Sequence, residues 1–315
     1  MRILALSGAT FIASALALPG QAPIGAPLAK LTEIQLTDKL AARPGGGGPE
    51  AIASDGTYIW VADQFGNSVT RLDRLTGLRL GTFAVGNRPV ALLAVKSTLW
   101  VANLESDTLT QLRTSDGAVL GTFPVGDGPG ALAFDGLNLW VTHRNDDTVS
   151  QVSTAGAVLA TFPTGRRPVN LAYDGTALWV ANNLDDTVTR ISRADGGITA
   201  KLHVAKGPFA VLYDGSAIWV TSFFGRSVTK INPLAGAPLG TFAVGDGPSG
   251  LASDGRSIWV ANSGSSTVTR LDRATGSVLG TYASGRGPFG VAFDGRNIWI
   301  ANFGASSVST TLLAQ

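Results

Sequence analysis

The chain has 315 residues, 44% of them hydrophobic and 15% charged, which supplies apolar surface for a large core and excludes a highly charged disordered chain. Twenty-four Lys and Arg against 22 Asp and Glu leave a net charge of +2, too small an excess for a protein built to grip duplex DNA. The absence of cysteine removes disulfides, zinc–thiolate centres and thiol catalysis.

The first 22 residues, MRILALSGATFIASALALPGQA, carry one basic residue, Arg2, then an apolar run ending near Leu18, with Ala15 and Ala17 spaced as at a cleavage site. The run is shorter than the roughly 18 residues a spanning helix needs. Residues 1–22 are expected to be an export signal, which implies a periplasmic or extracellular protein with no integral membrane contact. Residues 23–47 form a linker that includes LTEIQLTDKL, 31–40, where Ile34 and Leu36 alternate with Glu33, Gln35 and Thr37 at the period of a β-strand.

From residue 48 to the end the chain repeats. Its seven tryptophans, Trp60, Trp100, Trp140, Trp179, Trp219, Trp259 and Trp299, are separated by 40, 40, 39, 40, 40 and 40 residues. Each unit holds four short runs rich in β-branched and aromatic residues, which we label a to d, divided by turn chemistry. In the third unit these are 130–134, 139–142, 148–152 and 158–164, with Asp135-Gly136 as a hairpin turn between a and b. The one short step falls in Ser153-Thr154-Ala155-Gly156, the c–d turn, where a residue can be lost without moving either strand's faces. Four strands recurring every 40 residues predict an all-β, seven-bladed β-propeller of four-stranded antiparallel blades.

The last unit stops at strand c, and the segment around Ile34 is expected to supply its missing strand d, closing the ring and removing two exposed edges. Counting back strictly from Pro49 would instead set Arg43 where other units have Phe, so the register of this strand is left open.

Positions that recur in every unit serve the blade. The tryptophans are expected to fill the wedges between blades, with Phe83, Phe123, Phe162, Leu202, Phe242 and Tyr282 packed outside them. The short polar residue after Trp-Val-Ala (Asp63, Asn103, His143, Asn182, Ser222, Asn262, Asn302) is expected to bond to neighbouring groups where strand b enters its loop. Asp107, Asp147 and Asp186 are likewise assigned to loop bonding.

Positions that vary lie in the b–c and d–a loops, which a propeller places on one face, at the mouth of its channel. Here the units contribute a basic set, Arg88, His143, Arg144, Arg166, Lys206 and Arg286, and an aromatic set, Phe65, Phe209, Phe223, Phe224, Phe289 and Phe303. Phenylalanine in polar loops predicts a contact surface. Acid–base chemistry at the mouth would have to draw on His143 with Glu50 or Glu105.

The repeated IWVAN, TVTRLD, TG and LGTF strings resemble the YVTN-type β-propeller repeat and, less closely, the NHL repeat and the streptogramin (virginiamycin B) lyases, over residues 48–312. The first resemblance implies an exported protein that binds other molecules, single-stranded DNA among those known for such proteins. The lyase resemblance implies a channel-mouth site with a histidine, carboxylates and Mg²⁺. This chain has only His143 and His203, the latter on an outer strand, and three glutamates, Glu33, Glu50 and Glu105. The expectation is therefore a monomeric, cofactor-free binding protein for a peptide, protein, glycan or other polymer, with a metal-assisted lyase or hydrolase as the alternative.

Overall fold

The computed structural model describes residues 48–311 and, by backbone alone, residues 32–35; the expected export signal lies outside them. The described residues form 28 strands in seven four-stranded antiparallel sheets and no helix. In six sheets the four strands are consecutive in sequence: blade 1 comprises Pro49–Ser54, Tyr58–Asp63, Ser68–Asp73 and Arg79–Ala84, strands a to d from the channel outwards.

The seventh sheet is completed by Thr32–Gln35 pairing with Ser307–Thr310. Its register settles the open question. Ile34 stands opposite Val308, as Phe83 stands opposite Val69 in blade 1, so the strict count to Arg43 is not kept.

Closure is also visible in the core. Seven apolar clusters each join two neighbouring blades, and one of them unites Ile52, Ile59 and Leu72 of blade 1 with Trp299 and Val308 of blade 7. An open stack of seven sheets would have six such interfaces. Each tryptophan lies in one of these wedges, at most 2% exposed. Trp60, for example, packs on Leu92, Leu99, Val101 and Leu112 of the next blade, with Phe83 outside it at 5.8 Å between ring centroids.

The Asp-Gly hairpin has a second task. Asp55 Oδ1 accepts from the amides of Thr57 and Tyr58 while its Oδ2 accepts from the Trp60 indole at 2.9 Å. The same Asp–Trp bond, at 2.7–2.9 Å, recurs in blades 3 to 7. Blade 2 has Val95-Lys96 in place of Asp-Gly, and its Trp100 Nε1 is buried without a partner.

The missing residue of blade 3 is absorbed where expected. Elsewhere the c–d turn closes with a bond four residues back, as Gly77 N to Asp73 O, whereas blade 3 closes three back, Gly156 N to Ser153 O, and its strands keep their register.

On this turn face Arg74, Arg193 and Arg273 each reach back to the preceding blade's Asp-Gly turn, donating to Asp294 O, Asp135 Oδ2 and Asp214 O respectively. These cations are scaffold. Burial pushes the Asp135 carboxyl up, but bonds from the Asn138 amide, Trp140 and Arg193 outweigh it and hold the pKa below the ordinary value.

Candidate functional site at the channel mouth

The recurring polar residue of strand b is buried in every blade. Asn182 Nδ2 donates to the hydroxyls of Thr187 and Thr189, five and seven residues on, and its Oδ1 accepts from the Gly165 amide. Asn103, Asn262 and Asn302 make the same paired hydroxyl bonds. Asp107, Asp147 and Asp186 sit in the left-handed region and accept from the amides of Gly128, Arg167 and Gly207, tying each b–c loop to the following d–a loop.

His143 occupies the asparagine position of blade 3. It is fully buried, its Nε2 lies 2.9 Å from Ser150 Oγ and its Nδ1 has no partner. Burial pushes the imidazole below its ordinary pKa against the opposing influence of Asp146, the Gly126 backbone, Asp107 and Asp127. Glu105 is exposed on the rim, paired with Arg88 at 3.2 Å. Glu50 lines the channel. The structure thus places the three acid–base candidates in a blade interior, on the rim and inside the channel, and does not assemble them. Among the described residues no cluster of three His, Cys, Asp or Glu has the geometry of a metal site.

The aromatic residues do assemble. Six phenylalanines form one continuous arc, Phe224–Phe223–Phe209–Phe289–Phe303–Phe65, with successive centroids 5.2, 5.9, 5.3, 6.2 and 5.7 Å apart. Its ends are open to solvent, Phe224 at 65% and Phe65 at 48% exposure. The central pair, Phe209 of blade 5 and Phe289 of blade 7, meets edge to face at 88° across blade 6.

Small residues make that meeting feasible. The position after each anchoring proline forms a ring around the channel: Glu50, Val90, Gly130, Val169, Phe209, Ser249 and Phe289. Blade 6 contributes only Ser249 to the ring and Gly250 behind it, where a Cβ would stand 2.3 Å from the Phe289 carbonyl oxygen. At Gly290 a Cβ would stand 2.7 Å from the Glu50 carbonyl oxygen, so the inner strands of blades 6, 7 and 1 approach closely.

On the other side of the ring Gly130 leaves room for Arg144 to fold into the channel: a Cβ there would lie 2.5 Å from Arg144 Nε. Burial lowers the Arg144 pKa against the opposing charge of Glu50, and Arg167 and Arg88 lower it further. The Glu50 carboxyl is pushed up by burial against Arg144 and Arg88. Together these residues and the Phe209 and Phe289 rings line a cavity with about 480 Å³ of empty space, including its part open to solvent.

The remaining basic candidates divide. Arg166 is spent on Asp185 at 2.7 Å and on Leu184 O, and its presence with Lys201 holds the Asp185 pKa down to about 2. Arg286 donates to Gly304 O at 2.6 Å and Arg88 to Gln64 Oε1 at 3.0 Å. Lys206 is exposed on the loop that Phe224 covers. The sequence reading passed over Asn170, which lines the channel and accepts from Val211 N of the next blade. Its signal was available: the same position holds only Ala or Gly in the other six units.

No family model and no curated protein matches the chain. Solved structures do. A streptogramin B lyase structure superimposes with a TM-score of 0.75 at 19% identity, covering 89% of this chain and 96% of that one. Hydrazine synthase of Kuenenia stuttgartiensis gives a TM-score of 0.74 at 21% identity, covering 87% and 98%. With the seven closed sheets, these likenesses make the chain a seven-bladed β-propeller repeat protein that shares its fold with both.

Proposed function

We propose that this propeller is a binding protein that recognises a peptide, protein, glycan or other polymer through its b–c and d–a loop face. The observation that carries this reading is the arc of six phenylalanines, solvent-exposed at both ends and continuous with the channel mouth. A connected aromatic patch of this kind costs solvation free energy when free, and aromatic anchors of this sort dominate the energetics of interfaces. Lys206, exposed on the loop that Phe224 covers, and Arg88, bonded to Gln64 next to Phe65, lie near its two ends and equip it for partners with acidic groups, single-stranded nucleic acid included.

The N-terminal segment supports export as part of the same reading, with partners met in the periplasm or outside the cell. Mass determination of the mature protein tests it, the expected N-terminus lying close to residue 22.

The binding reading is tested with Phe65→Ser/Phe224→Ser, which alters only the two exposed ends of the arc. Fluorescently labelled peptide, glycan and oligo-dT probes should include a class retained by the wild-type chain and weakened at least about tenfold by the double variant, the loss of about 1.4 kcal/mol. Equal retention by both proteins, with equal melting temperatures, would remove the phenylalanine arc as the recognition surface.

A further inference from the structure

Beneath the rim, the channel contains two opposite charges that the protein itself does not join. Glu50 is 8% exposed, and among the described residues its carboxylate has neither a hydrogen bond nor an ion pair within 4 Å. Arg144 folds over Gly130 into the same cavity, where its Nε is buried without an acceptor and, among the described residues, the one hydrogen bond of its side chain is a long one, 3.4 Å, from Nη2 to Gly130 O. Each group feels the other's charge, yet neither satisfies it. A buried charge without hydrogen bonds costs several kcal/mol, and the blade does not require it: the other six blades have Val, Gly, Phe or Ser at the Glu50 position and Gln, Leu, Asn, Phe or Ser at the Arg144 position, none of them charged.

The rest of the cavity wall is mostly apolar, Asn170 and Ser249 being its other polar side chains, and it includes the Phe209 and Phe289 rings. A group of single charge would answer one of the two residues and strip the other of its counter-charge. A ligand bearing both charges would answer both and leave the cavity neutral.

We infer that the channel is a binding site for a zwitterion of the α-amino-acid type with a large apolar side chain. Its ammonium would face Glu50, its carboxylate Arg144, and its side chain the Phe209–Phe289 edge. Its lining has the make-up usual for small-molecule sites, largely apolar walls with a few convergent polar groups. The site lies below the rim and does not depend on the polymer-binding reading: Phe65 and Phe224 can be altered without touching it, so the two proposals fail separately.

The test is calorimetric titration of the full chain with L-phenylalanine, N-acetyl-L-phenylalanine, which lacks the ammonium, and L-phenylalanine amide, which lacks the carboxylate. L-phenylalanine should bind saturably, and each blocked analogue should bind at least about tenfold more weakly, since each leaves one buried charge unanswered. Glu50→Gln should abolish the preference over the N-acetyl compound while keeping the preference over the amide, and Arg144→Met should do the reverse. If either variant fails to melt cooperatively, the comparison of the three ligands on the wild-type chain still decides. Equal affinity for a blocked analogue would identify a site for a lone anion or cation and overturn the inference. So would the lack of saturable heat with L-phenylalanine, L-leucine and L-tryptophan up to about 1 mM.

Discussion

The indole of Trp60 donates to Asp55 Oδ2 at 2.9 Å, so the residue that shapes the first hairpin of the blade also anchors the largest side chain of the inter-blade wedge. The Asp-Gly dipeptide therefore does more than turn the chain. Its carboxylate fixes two turn amides and one buried N–H that would otherwise lie unsatisfied.

Blade 2 shows what is lost without it. Trp100 Nε1 is buried and unpartnered beside Val95-Lys96, and Lys96 is held at φ 54°, a conformation that glycine adopts more readily. Val95→Asp/Lys96→Gly should supply both the acceptor and the flexible residue. We expect a gain of about 1 kcal/mol, a charge-assisted hydrogen bond partly offset by the lost burial of Val95. Urea denaturation with unchanged slope checks it; a lower midpoint would show that the Val95 contacts outweigh the bond.

His143→Asn should stabilise the protein. Thr148 Oγ1 is buried without a partner, and in four other blades the asparagine donates to the hydroxyl at that place. The gain expected is about 1 kcal/mol at neutral pH. The pH dependence follows from the lowered imidazole pKa: the unfolded chain binds a proton in the range below about 6.5 where the folded chain does not, so stability falls as pH drops through that range. The variant should lose this part of the slope. Chemical denaturation at a series of pH values measures it, and an unchanged slope would mean that His143 does not sit buried and neutral.

Two glycines of the c–d turns should respond differently to one substitution. Gly117 has φ +77° and a Cβ there would lie 2.1 Å from the Phe83 ring of the preceding blade. Gly236 has φ +61° but faces open space, because the outer row of the preceding blade carries Leu202 where four other blades carry phenylalanine. Gly236→Ala should cost about 1 kcal/mol for the backbone alone, and Gly117→Ala about 1–3 kcal/mol more from overpacking. Similar midpoints for the two would show that the inter-blade contact yields easily.

Removing residues 1–40 deletes the strand paired with Ser307–Thr310 and leaves the last blade with three strands and a bare edge. The shortened chain should unfold at lower temperature and aggregate faster than the full chain. Comparable melting and light scattering would show that the ring holds without its closing strand.

The blades were legible from residue identity alone because their determinants are local and repeated seven times: Asp-Gly turns, the tryptophan period and the single deletion in a hairpin loop all act within one unit. The sequence also separated constant from variable positions, and so pointed to the loop face and to its phenylalanines. What lay beyond it was how side chains of different units meet around the channel. That Phe209 reaches Phe289 across a blade reduced to Ser249 and Gly250, that Arg144 enters the channel over Gly130 to share a cavity with Glu50, and that His143 is buried in the place of a blade asparagine, bonded to Ser150, all depend on how the strands pack in the closed ring. Closure of the ring fixes those distances, and residues 80 positions apart in the chain become neighbours only once it is complete.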